Sequence, residues 1–360
     1  MADSLLRYFH LNHPQSVMLN AAIDAMQSVR RSVEVSIKNG RGIEHSTFQA
    51  ADGTWKDMLQ VDKEAENICA THLLETLGGQ GELLVLGEET LWKLPTNLDL
   101  SCQKVYVQAP NDPKVEGGAE KRITAILDMI DGSDLLERRL GNWCSAMVFL
   151  DPRRPKILFS LVQDSTGVIY GADESSTFLI TPDRKPGDTL PPLEGVEIRE
   201  ILKAEPNSRG KRPRAQTGQI AVCYYNQKVS HFQSTTPLGL ADWLTTLPEE
   251  EQNRFRIYTL AGNPMMVRMA NSENIHAVFE HIGQYPHDVV PGAYIALRAG
   301  GHMCDFEGAP ILEEVLAKLL LNPSGPRIKY VLASTDAVAI DIAGALKQRQ
   351  AKDARAARTY

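Results

Sequence analysis

The sequence has little cysteine and no cysteine pattern. Its 360 residues contain five cysteines, an odd number, and no Cys-x-x-Cys pair. A fold held together by disulfides, or a zinc site built from cysteine pairs, would require an even or closely paired set. We therefore interpret the cysteines as mostly buried thiols.

Long apolar runs and an excess of positive charge are also missing. No run approaches the roughly 20 residues that cross a bilayer. The first residues lack the basic start, apolar middle and small-residue cleavage site of a secretory signal. We expect a cytoplasmic protein with no membrane partner. The net charge of −7 also argues against a nucleic-acid partner.

Two motifs of phosphate and metal chemistry are absent as well. The sequence contains no Gly-x-x-x-x-Gly-Lys-Ser/Thr loop and no His-Glu-x-x-His segment. The first holds the phosphates of a nucleoside triphosphate, and the second binds zinc. Phosphate transfer from ATP is therefore not indicated.

The composition is typical of a globular protein, with 43% hydrophobic and 23% charged residues. A chain of this length can form two domains. Residues 182–216 contain six prolines and the basic run Arg209–Arg214, so we predict a boundary there, between parts 1–190 and 191–360. The basic run could contact phosphate, but a solvated linker is the favoured interpretation.

Apolar spacing predicts an α/β (α+β) chain, with two long helices first and alternating strands and helices after them. The predicted helices are 14–39, 56–77, 241–247, 289–299 and 336–348. The predicted strands are 83–86, 104–108, 123–127, 145–150, 157–163, 167–170, 220–225, 255–260, 277–280 and 328–333.

One segment reads as strand, turn and helix. Ile123–Leu127 is apolar and predicts a buried strand, and Gly132 permits a sharp turn. Ser133 or Asp134 is a natural N-cap for a helix over 135–140. Side chains near the turn would therefore converge at the end of a buried strand.

Two carboxylates, Asp128 and Asp131, lie at the mouth of this turn. They repel each other and raise each other's pKa unless a cation lies between them. With Mg²⁺ there, the carbonyl of Ile130 would add an oxygen ligand, and the amides of Gly132 and Ser133 would point at a bound anion. The pattern is compatible with a metal-bridged phosphate. Taken alone, however, the segment is better explained as a solvated loop, because such turns are common without a metal.

Three further acidic clusters occur at predicted strand ends or helix starts, and each alone is a weak signal. Together the four segments resemble the motifs of the inositol monophosphatase family. They are Val61-Asp62-x-x-Ala65-Glu66, Gly87-Glu88-Glu89-Thr90, Asp128-x-Ile130-Asp131-Gly132-Ser133, and Asp288-Val-x-x-Gly292-Ala293 followed by Ala299-Gly300-Gly301.

That family belongs to the lithium-sensitive, magnesium-dependent phosphatases that include fructose-1,6-bisphosphatase. The resemblance covers residues 15–310. It implies a layered αβαβα sandwich with the site between an N-terminal metal-binding part and a C-terminal substrate-binding part, which would supply Asp288. Members are often dimers, so a homodimer is a possible assembly.

The resemblance also implies roles for individual residues. Two or three Mg²⁺ ions would bind per site, and Asp128 would bridge two of them. The implied metal ligands are Glu88, Asp128 and the carbonyl of Ile130 for one ion, and Asp128, Asp131 and Asp288 for another.

The implied catalytic pair is Asp62 and Ser133, which would orient and deprotonate the attacking water. Gly132 and Ser133 would contact the phosphate, and Glu280 would contact a substrate hydroxyl. Gly262 and Asn263 match the place where the family often has Gly-Ser or Gly-Thr lining the pocket.

Four positions depart from the family pattern. Met129 replaces a usual proline, Ser133 a frequent threonine, Gln60 a usual threonine, and His287 the tryptophan before Asp288. All of the implied metal carboxylates remain, so the sequence favours an active enzyme.

The predicted function is Mg²⁺-dependent hydrolysis of a small phosphorylated polyol, an inositol phosphate first. The alternatives within the same chemistry are a sugar bisphosphate and a 3′-phosphonucleotide. An alternative of another class is a catalytically silent regulator that binds a phosphorylated ligand.

Overall fold

The computed structural model of the chain describes residues 13–49, 55–77, 83–88, 123–182, 196–200, 220–224, 235–271 and 275–356. The predictions for Glu89, for the strand at 104–108 and for the basic run at 209–214 lie outside these residues.

The chain forms two compact units. The first comprises Met1–Glu200 with two later segments, Pro286–Pro291 and Glu314–Gly325. The second comprises Ile201–Tyr285, Gly292–Glu313 and Pro326–Tyr360. The predicted boundary after residue 190 lies outside the described residues. Asp288, which the sequence assigned to the C-terminal part, is in the first unit because residues 286–291 return to it.

The first unit begins with a long helix, α1 (His13–Lys38), a hairpin of β1 (His45–Gln49) and β2 (Trp55–Leu59), and a second long helix, α2 (Gln60–Leu77). The prediction of α1 is confirmed. The predicted second helix begins four residues too early, because residues 56–59 pair with β1 in an antiparallel ladder.

A seven-stranded sheet forms the rest of this unit's framework. Its seven strands, β3 to β9, lie side by side in the order in which they occur in the chain. The first two are parallel, and every later neighbouring pair is antiparallel. The strands are β3 (Leu83–Gly87), β4 (Ile123–Asp131), β5 (Cys144–Asp151), β6 (Lys156–Asp164), β7 (Ile169–Asp173), β8 (Thr177–Pro182) and β9 (Val196–Glu200), and the short helix α3 (Ser133–Glu137) follows β4. The sequence predicted the first five of these strands but not β8 or β9.

One apolar core joins the two long helices to this sheet. Met26 of α1, Leu73 of α2 and the stacked pair Phe149 and Phe159, whose ring centroids are 4.4 Å apart, belong to it. Each fully buried side chain of this size contributes about 1.5–3 kcal/mol relative to an exposed one. The core therefore fixes where α2 and the ends of β3 and β4 lie within the unit.

The second unit contains a five-stranded sheet of order β11-β10-β12-β14-β13. Strands β10 and β11 and strands β10 and β12 are parallel, and β14 is antiparallel to both of its neighbours. In chain order the remaining elements are β10 (Ile220–Tyr224), α4 (Leu238–Leu244), α5 (Glu249–Gln252), β11 (Phe255–Tyr258), α6 (Asn263–Ala270), β12 (Ile275–Gln284), α7 (Pro286–Arg298), β13 (His302–Cys304), α8 (Glu313–Leu319), β14 (Ile328–Ala333) and α9 (Asp336–Ala356).

The predicted strands and helices of this half are confirmed, the strand at 328–333 with its exact bounds and the others with one or both ends shifted. Helix α6 was not predicted, and it begins with Pro264 in its first turn, a position where proline is favourable. Ile342 and Leu346 of α9 form a core with Phe279 of β12 and Val331 of β14. In the described part of the chain, no helix combines the length and the apolar character that crossing a membrane requires.

Candidate active site

The predicted strand–turn–helix segment is present, with a different cap. Strand β4 continues past its predicted end to Asp131, and its register with β5 shifts between Asp128 and Asp131. Gly132 has a φ of 90° and is itself the N-cap, with no side-chain cap bond. The prediction that Ser133 or Asp134 caps the helix is therefore wrong. The left-handed conformation that the turn requires favours glycine at this position.

A hydrogen bond from the neighbouring strand holds the turn. Ser145 Oγ donates to the carbonyl of Met129 at 2.7 Å, and Ser145 is buried. Because β5 is packed on both sides by β4 and β6, this bond fixes the backbone of Met129 to the sheet interior. Met129 is the position at which the motif that this segment resembles usually has proline.

Parallel strands bring the acidic residues of β3 and β4 to one edge. Gly87 at the end of β3 pairs with Leu127 of β4, so Glu88 and Asp128 follow paired residues. The carboxyl ends of neighbouring parallel strands meet at the same edge of a sheet. The sheet therefore positions two of the predicted ligands side by side.

Asp128 is at the centre of a group of four acids. Only 4% of its surface is exposed. Burial raises the pKa of Asp128 well above its usual range, and the nearby charges of Asp131, Asp288 and Asp62 raise it further. The amide of Ile130 donates to this carboxylate and opposes the shift. The structure thus brings together four of the predicted carboxylates within the first unit.

Two oxygens in this group are buried without a donor. Among the described residues, no hydrogen-bond donor reaches Asp128 Oδ1 or Asp62 Oδ1. Asp62 Oδ2 accepts from the amide of Leu59 at 3.2 Å. Burial raises the pKa of Asp62 to about 7, and this amide partly opposes the shift.

These oxygens fit a hard divalent cation. A buried carboxylate oxygen without a donor is costly, and a cation bound by several carboxylates removes both that cost and their mutual repulsion. Oxygen donors are the ligands that Mg²⁺ prefers. The donor set of Asp128, Asp131 and Asp288 is therefore chemically suited to the ion that the sequence predicted.

A second cluster adjoins this group and contains a histidine. Glu88, His287 and Asp288 each offer one ligand atom, and these atoms all lie within 4.8 Å of one another. This trio differs from the predicted ligand sets because it includes His287 and omits Asp128. The sequence had identified His287 only as a departure from the family pattern. The sequence signal that could have identified this contact was a histidine directly before the predicted metal ligand Asp288.

A buried thiol also contacts the site. Cys144 Sγ lies 3.8 Å from Asp131 Oδ2 and donates to it. Burial raises the pKa of the Cys144 thiol, and the charges of Asp131 and Asp128 raise it further. Cys144 is therefore a protonated donor that orients Asp131, and the sequence did not predict this contact.

The predicted partnership of Asp62 and Ser133 is not formed as a hydrogen bond among the described residues. Ser133 begins α3, and this short helix is tied to the β1 hairpin by His45 Nε2, which lies 3.0 Å from Glu137 Oε1. This contact lowers the pKa of Glu137. The catalytic roles of Asp62 and Ser133 stay predictions, as does the phosphate contact of Gly132.

The three other predicted substrate residues lie in the second unit. Gly262, with a φ of 81°, precedes α6. Asn263 is fully buried, and its Oδ1 accepts from the amide of Gly292 at 2.6 Å. Within its own unit, Asn263 therefore joins α6 to α7, and its contact with substrate stays a prediction.

Glu280 is also buried, with 1% of its surface exposed. Its Oε1 accepts from the amides of Ile282 at 2.6 Å and Gly283 at 3.1 Å. Burial raises its pKa, and these backbone donors partly oppose the shift. The predicted contact of Glu280 with a substrate hydroxyl is untested by this geometry.

Comparison with known proteins gives a consistent result at the level of structure only. No family model matches the sequence, and no curated protein matches it. An IMPase from Thermotoga maritima aligns over 93% of this chain and 98% of its own length, with a TM-score of 0.56 at 12% identity. The chain has the inositol monophosphatase fold.

Further solved structures with this fold carry other names. One titled inositol monophosphatase–fructose 1,6 bisphosphatase aligns over 91% of this chain and 98% of its own, with a TM-score of 0.56 at 16% identity. CysQ from Bacteroides thetaiotaomicron, titled a bacterial member of the inositol monophosphatase family, aligns over 89% and 98%, with a TM-score of 0.53 at 13% identity. The predicted α/β fold of the sugar-phosphatase type is confirmed.

Proposed function

We propose that this chain hydrolyses a small phosphorylated polyol, an inositol phosphate first, in a reaction that depends on Mg²⁺. The observation that carries the proposal is the buried acidic group around Asp128, which has an oxygen without a donor in the described structure. An acidic group that is costly without a cation is a reasonable site for one. The inositol monophosphatase fold also supports the proposal of a metal-dependent phosphatase.

The residues that would hold the ions are those that the sequence indicated. Glu88, Asp128 and the carbonyl of Ile130 would bind one Mg²⁺, and Asp128, Asp131 and Asp288 another. When bound, the ions would neutralise phosphate oxygens and lower the pKa of a water molecule. A phosphate monoester resists attack because its oxygens are negative, so this neutralisation is the main requirement of the reaction.

The chain's own residues would handle the proton and the orientation of the substrate. Asp62 would accept a proton from the attacking water, and Ser133 would hold that water by its hydroxyl. A pKa near 7 suits a general base at neutral pH, and burial raises the pKa of Asp62 to about 7. Cys144, by donating to Asp131, would keep one ligand in place.

Glu280, Gly262 and Asn263 would contact the polyol, and Gly132 the phosphate. These assignments rest on the resemblance of the sequence segments. Substrates that appear in the names of other proteins with this fold are reasonable members of a test panel. They include fructose 1,6-bisphosphate as well as inositol phosphates.

The test is phosphate release from a panel of inositol monophosphates, sugar mono- and bisphosphates and 3′-phosphonucleotides, with and without Mg²⁺. We expect Mg²⁺-dependent release that Asp128→Asn lowers by about 100-fold or more, since charge stabilisation by a metal is worth several kcal/mol. Asp134→Asn is the matched control, because Asp134 is an acid of the same segment with no assigned role.

Two outcomes would oppose the proposal. Release that persists in a metal-free protein would exclude the metal-dependent reaction. No release from any compound, with saturating Mg²⁺ and a folded protein, would favour the silent phospho-ligand-binding regulator. Calorimetry with the same compounds would then show ligand uptake without turnover.

A further inference from the structure

His287 occupies an unusual place beside the acidic group. It is the second residue of α7, and its side chain is fully buried. Its Nδ1 lies 2.7 Å from the carbonyl oxygen of Pro323, and its Nε2 lies 3.0 Å from Asp288 Oδ1. The imidazole is thus held between a backbone carbonyl and a predicted metal ligand, all within the first unit.

The carbonyl of Pro323 fixes which nitrogen carries the proton. A carbonyl oxygen can only accept, so Nδ1 must donate to it. In the neutral imidazole the lone pair then belongs to Nε2, which faces Asp288. A ring nitrogen that donates to a backbone carbonyl, with the other nitrogen directed at carboxylates, is the arrangement that orients histidine ligands of metals.

The distance between Nε2 and Asp288 Oδ1 also fits two ligands of one ion. Two neutral or negative acceptor atoms at 3.0 Å repel each other unless a cation or a proton lies between them. Ligands bound at about 2.0–2.2 Å, at right angles to each other, are separated by about 3.0 Å. Glu88 completes the set, since one of its carboxylate oxygens lies within 4.8 Å of a ligand atom of each of the other two residues.

We propose that Glu88, His287 and Asp288 form a mixed nitrogen and oxygen metal site, which binds a divalent transition metal such as Zn²⁺ or Mn²⁺ in preference to Mg²⁺. The inference deepens the proposed function, on which it rests for the general requirement for a divalent ion. Imidazole is a preferred ligand of transition metals, whereas Mg²⁺ takes oxygen ligands. This assignment puts Glu88 and Asp288 on the same ion as His287, in place of the separate Mg²⁺ positions that the resemblance implies for them. Asp128, Asp131 and the carbonyl of Ile130 remain suited to Mg²⁺.

The experiment uses pulsed EPR of the full chain, stripped of metal and loaded with Mn²⁺. We expect nitrogen modulation from a directly bound imidazole in the unaltered protein and its loss in His287→Asn. The asparagine amide can still donate to Pro323 in place of Nδ1, but the atom equivalent to Nε2 is deleted. His302→Asn, which changes a histidine outside the cluster, should keep the modulation.

Calorimetric titration measures the metal preference independently of activity. We expect His287→Asn to weaken Zn²⁺ binding by at least about 10–100-fold, the range found when only an outer-shell partner of a metal ligand is lost. We expect Mg²⁺ affinity to change by less than about 3-fold, because its preferred oxygen ligands remain. His287→Gln, which can present an amide oxygen near the position of Nε2, should show the same loss of Zn²⁺ affinity and provides a second variant if the first does not fold.

A Mn²⁺ complex without nitrogen modulation, or Zn²⁺ affinity unchanged in both variants, would overturn the inference. That result would mean that His287 is protonated and donates to Asp288 rather than binding a metal. Failure of the inference is distinct from failure of the proposed function. Mg²⁺-dependent phosphate release without nitrogen coupling would reject only the histidine ligand, and nitrogen coupling without phosphate release would reject only the reaction.

Discussion

Asp128→Asn is expected to stabilise the metal-free protein and to destabilise the protein relative to wild type once Mg²⁺ is present. Asp128 is 4% exposed, and one of its oxygens has no donor among the described residues. Leaving a buried polar group unsatisfied costs about 1–3 kcal/mol, and more when it is charged. Asparagine removes the charge and can donate to a neighbouring carboxylate, so we expect a gain of about 1–3 kcal/mol.

The gain in stability that Asp128→Asn gives the metal-free protein should increase as the pH rises. Burial and three neighbouring acids raise the pKa of Asp128 in the folded state. The folded state therefore binds the proton more tightly than the unfolded state, and the cost of the charged form appears as pH rises above 3.8, the ordinary pKa. The advantage of asparagine should be present at pH 7.5 and should vanish towards pH 3.8.

Magnesium should reverse the order of stability. Saturation of each site at 100 times its Kd stabilises the folded state by about 2.7 kcal/mol, so the two ions proposed to share Asp128 would together contribute about 5 kcal/mol, which exceeds the advantage of about 1–3 kcal/mol given to asparagine. Wild type should gain this stabilisation, and Asp128→Asn should lose most of it because Asp128 is the proposed bridging ligand. A change of 1 kcal/mol in the free energy of unfolding shifts the Tm of a unit of 150–250 residues by about 2–4 °C. The reversal in the order of the two Tm values is therefore large enough to measure by calorimetry.

The assay compares melts in EDTA and in excess Mg²⁺ for wild type, Asp128→Asn and the control Asp134→Asn. The control should follow wild type in both conditions. The reasoning is refuted if Asp128→Asn melts below wild type in EDTA, since Asp128 would then be a stabilising structural acid. Equal stabilisation of both proteins by Mg²⁺ would refute its role as a ligand.

Three further predictions follow from the structure. Asp62→Asn and Ser133→Ala should each lower kcat for phosphate release by about 10²–10⁴-fold, the contribution of a general base and its partner, as steady-state kinetics would show. Glu280→Gln keeps the acceptor for two backbone amides and removes a buried charge, so urea unfolding should show a gain on the order of 1 kcal/mol at pH 8 that disappears below pH 4.5, where the ordinary carboxyl is protonated in both states. Gly292→Ala should lower the free energy of unfolding by about 1–3 kcal/mol, because the added Cβ would lie 2.7 Å from Asn263 Oδ1. At Gly344, the described structure has no atom within 4 Å of an added Cβ apart from the nearby backbone of its own helix, so Gly344→Ala should raise the free energy of unfolding by about 0.5–1 kcal/mol.

Each of these predictions has a contrary result. Full turnover in Asp62→Asn would assign the base elsewhere. A gain from Glu280→Gln that is equal at pH 4 and pH 8 would show that charge is not its origin. A Gly292→Ala substitution that gains as much stability as Gly344→Ala would show that the close contact at Gly292 carries no cost.

Much of the local structure follows from the sequence because its signals are periodic and short-range. Apolar residues at helical spacing predict α1 over 14–39, and the structure has it at His13–Lys38. The strand at 328–333 is predicted with its observed bounds. The four acidic segments were also found without structural information, because each lies at a strand end or helix start that the apolar pattern locates.

Tertiary pairing decided the elements that the sequence assigned wrongly or missed. Residues 56–59 have apolar spacing compatible with a helix, but the ladder with β1 makes them a strand. The N-cap is Gly132 rather than the predicted Ser133 or Asp134, because the bulge at the end of β4 requires a positive φ at this position. Such effects depend on partners that are distant in sequence, and no local pattern contains them.

The composition of the site divides in the same way. The sequence by itself determined which carboxylates are available, since Asp62, Glu88, Asp128, Asp131 and Asp288 are recognisable from their segments. Only the tertiary structure decided that Asp128 is buried among three other acids and that His287 lies with Glu88 and Asp288. The physical reason is that burial and electrostatic coupling depend on distances in space, and residues 88 and 288 are brought together only when the chain folds.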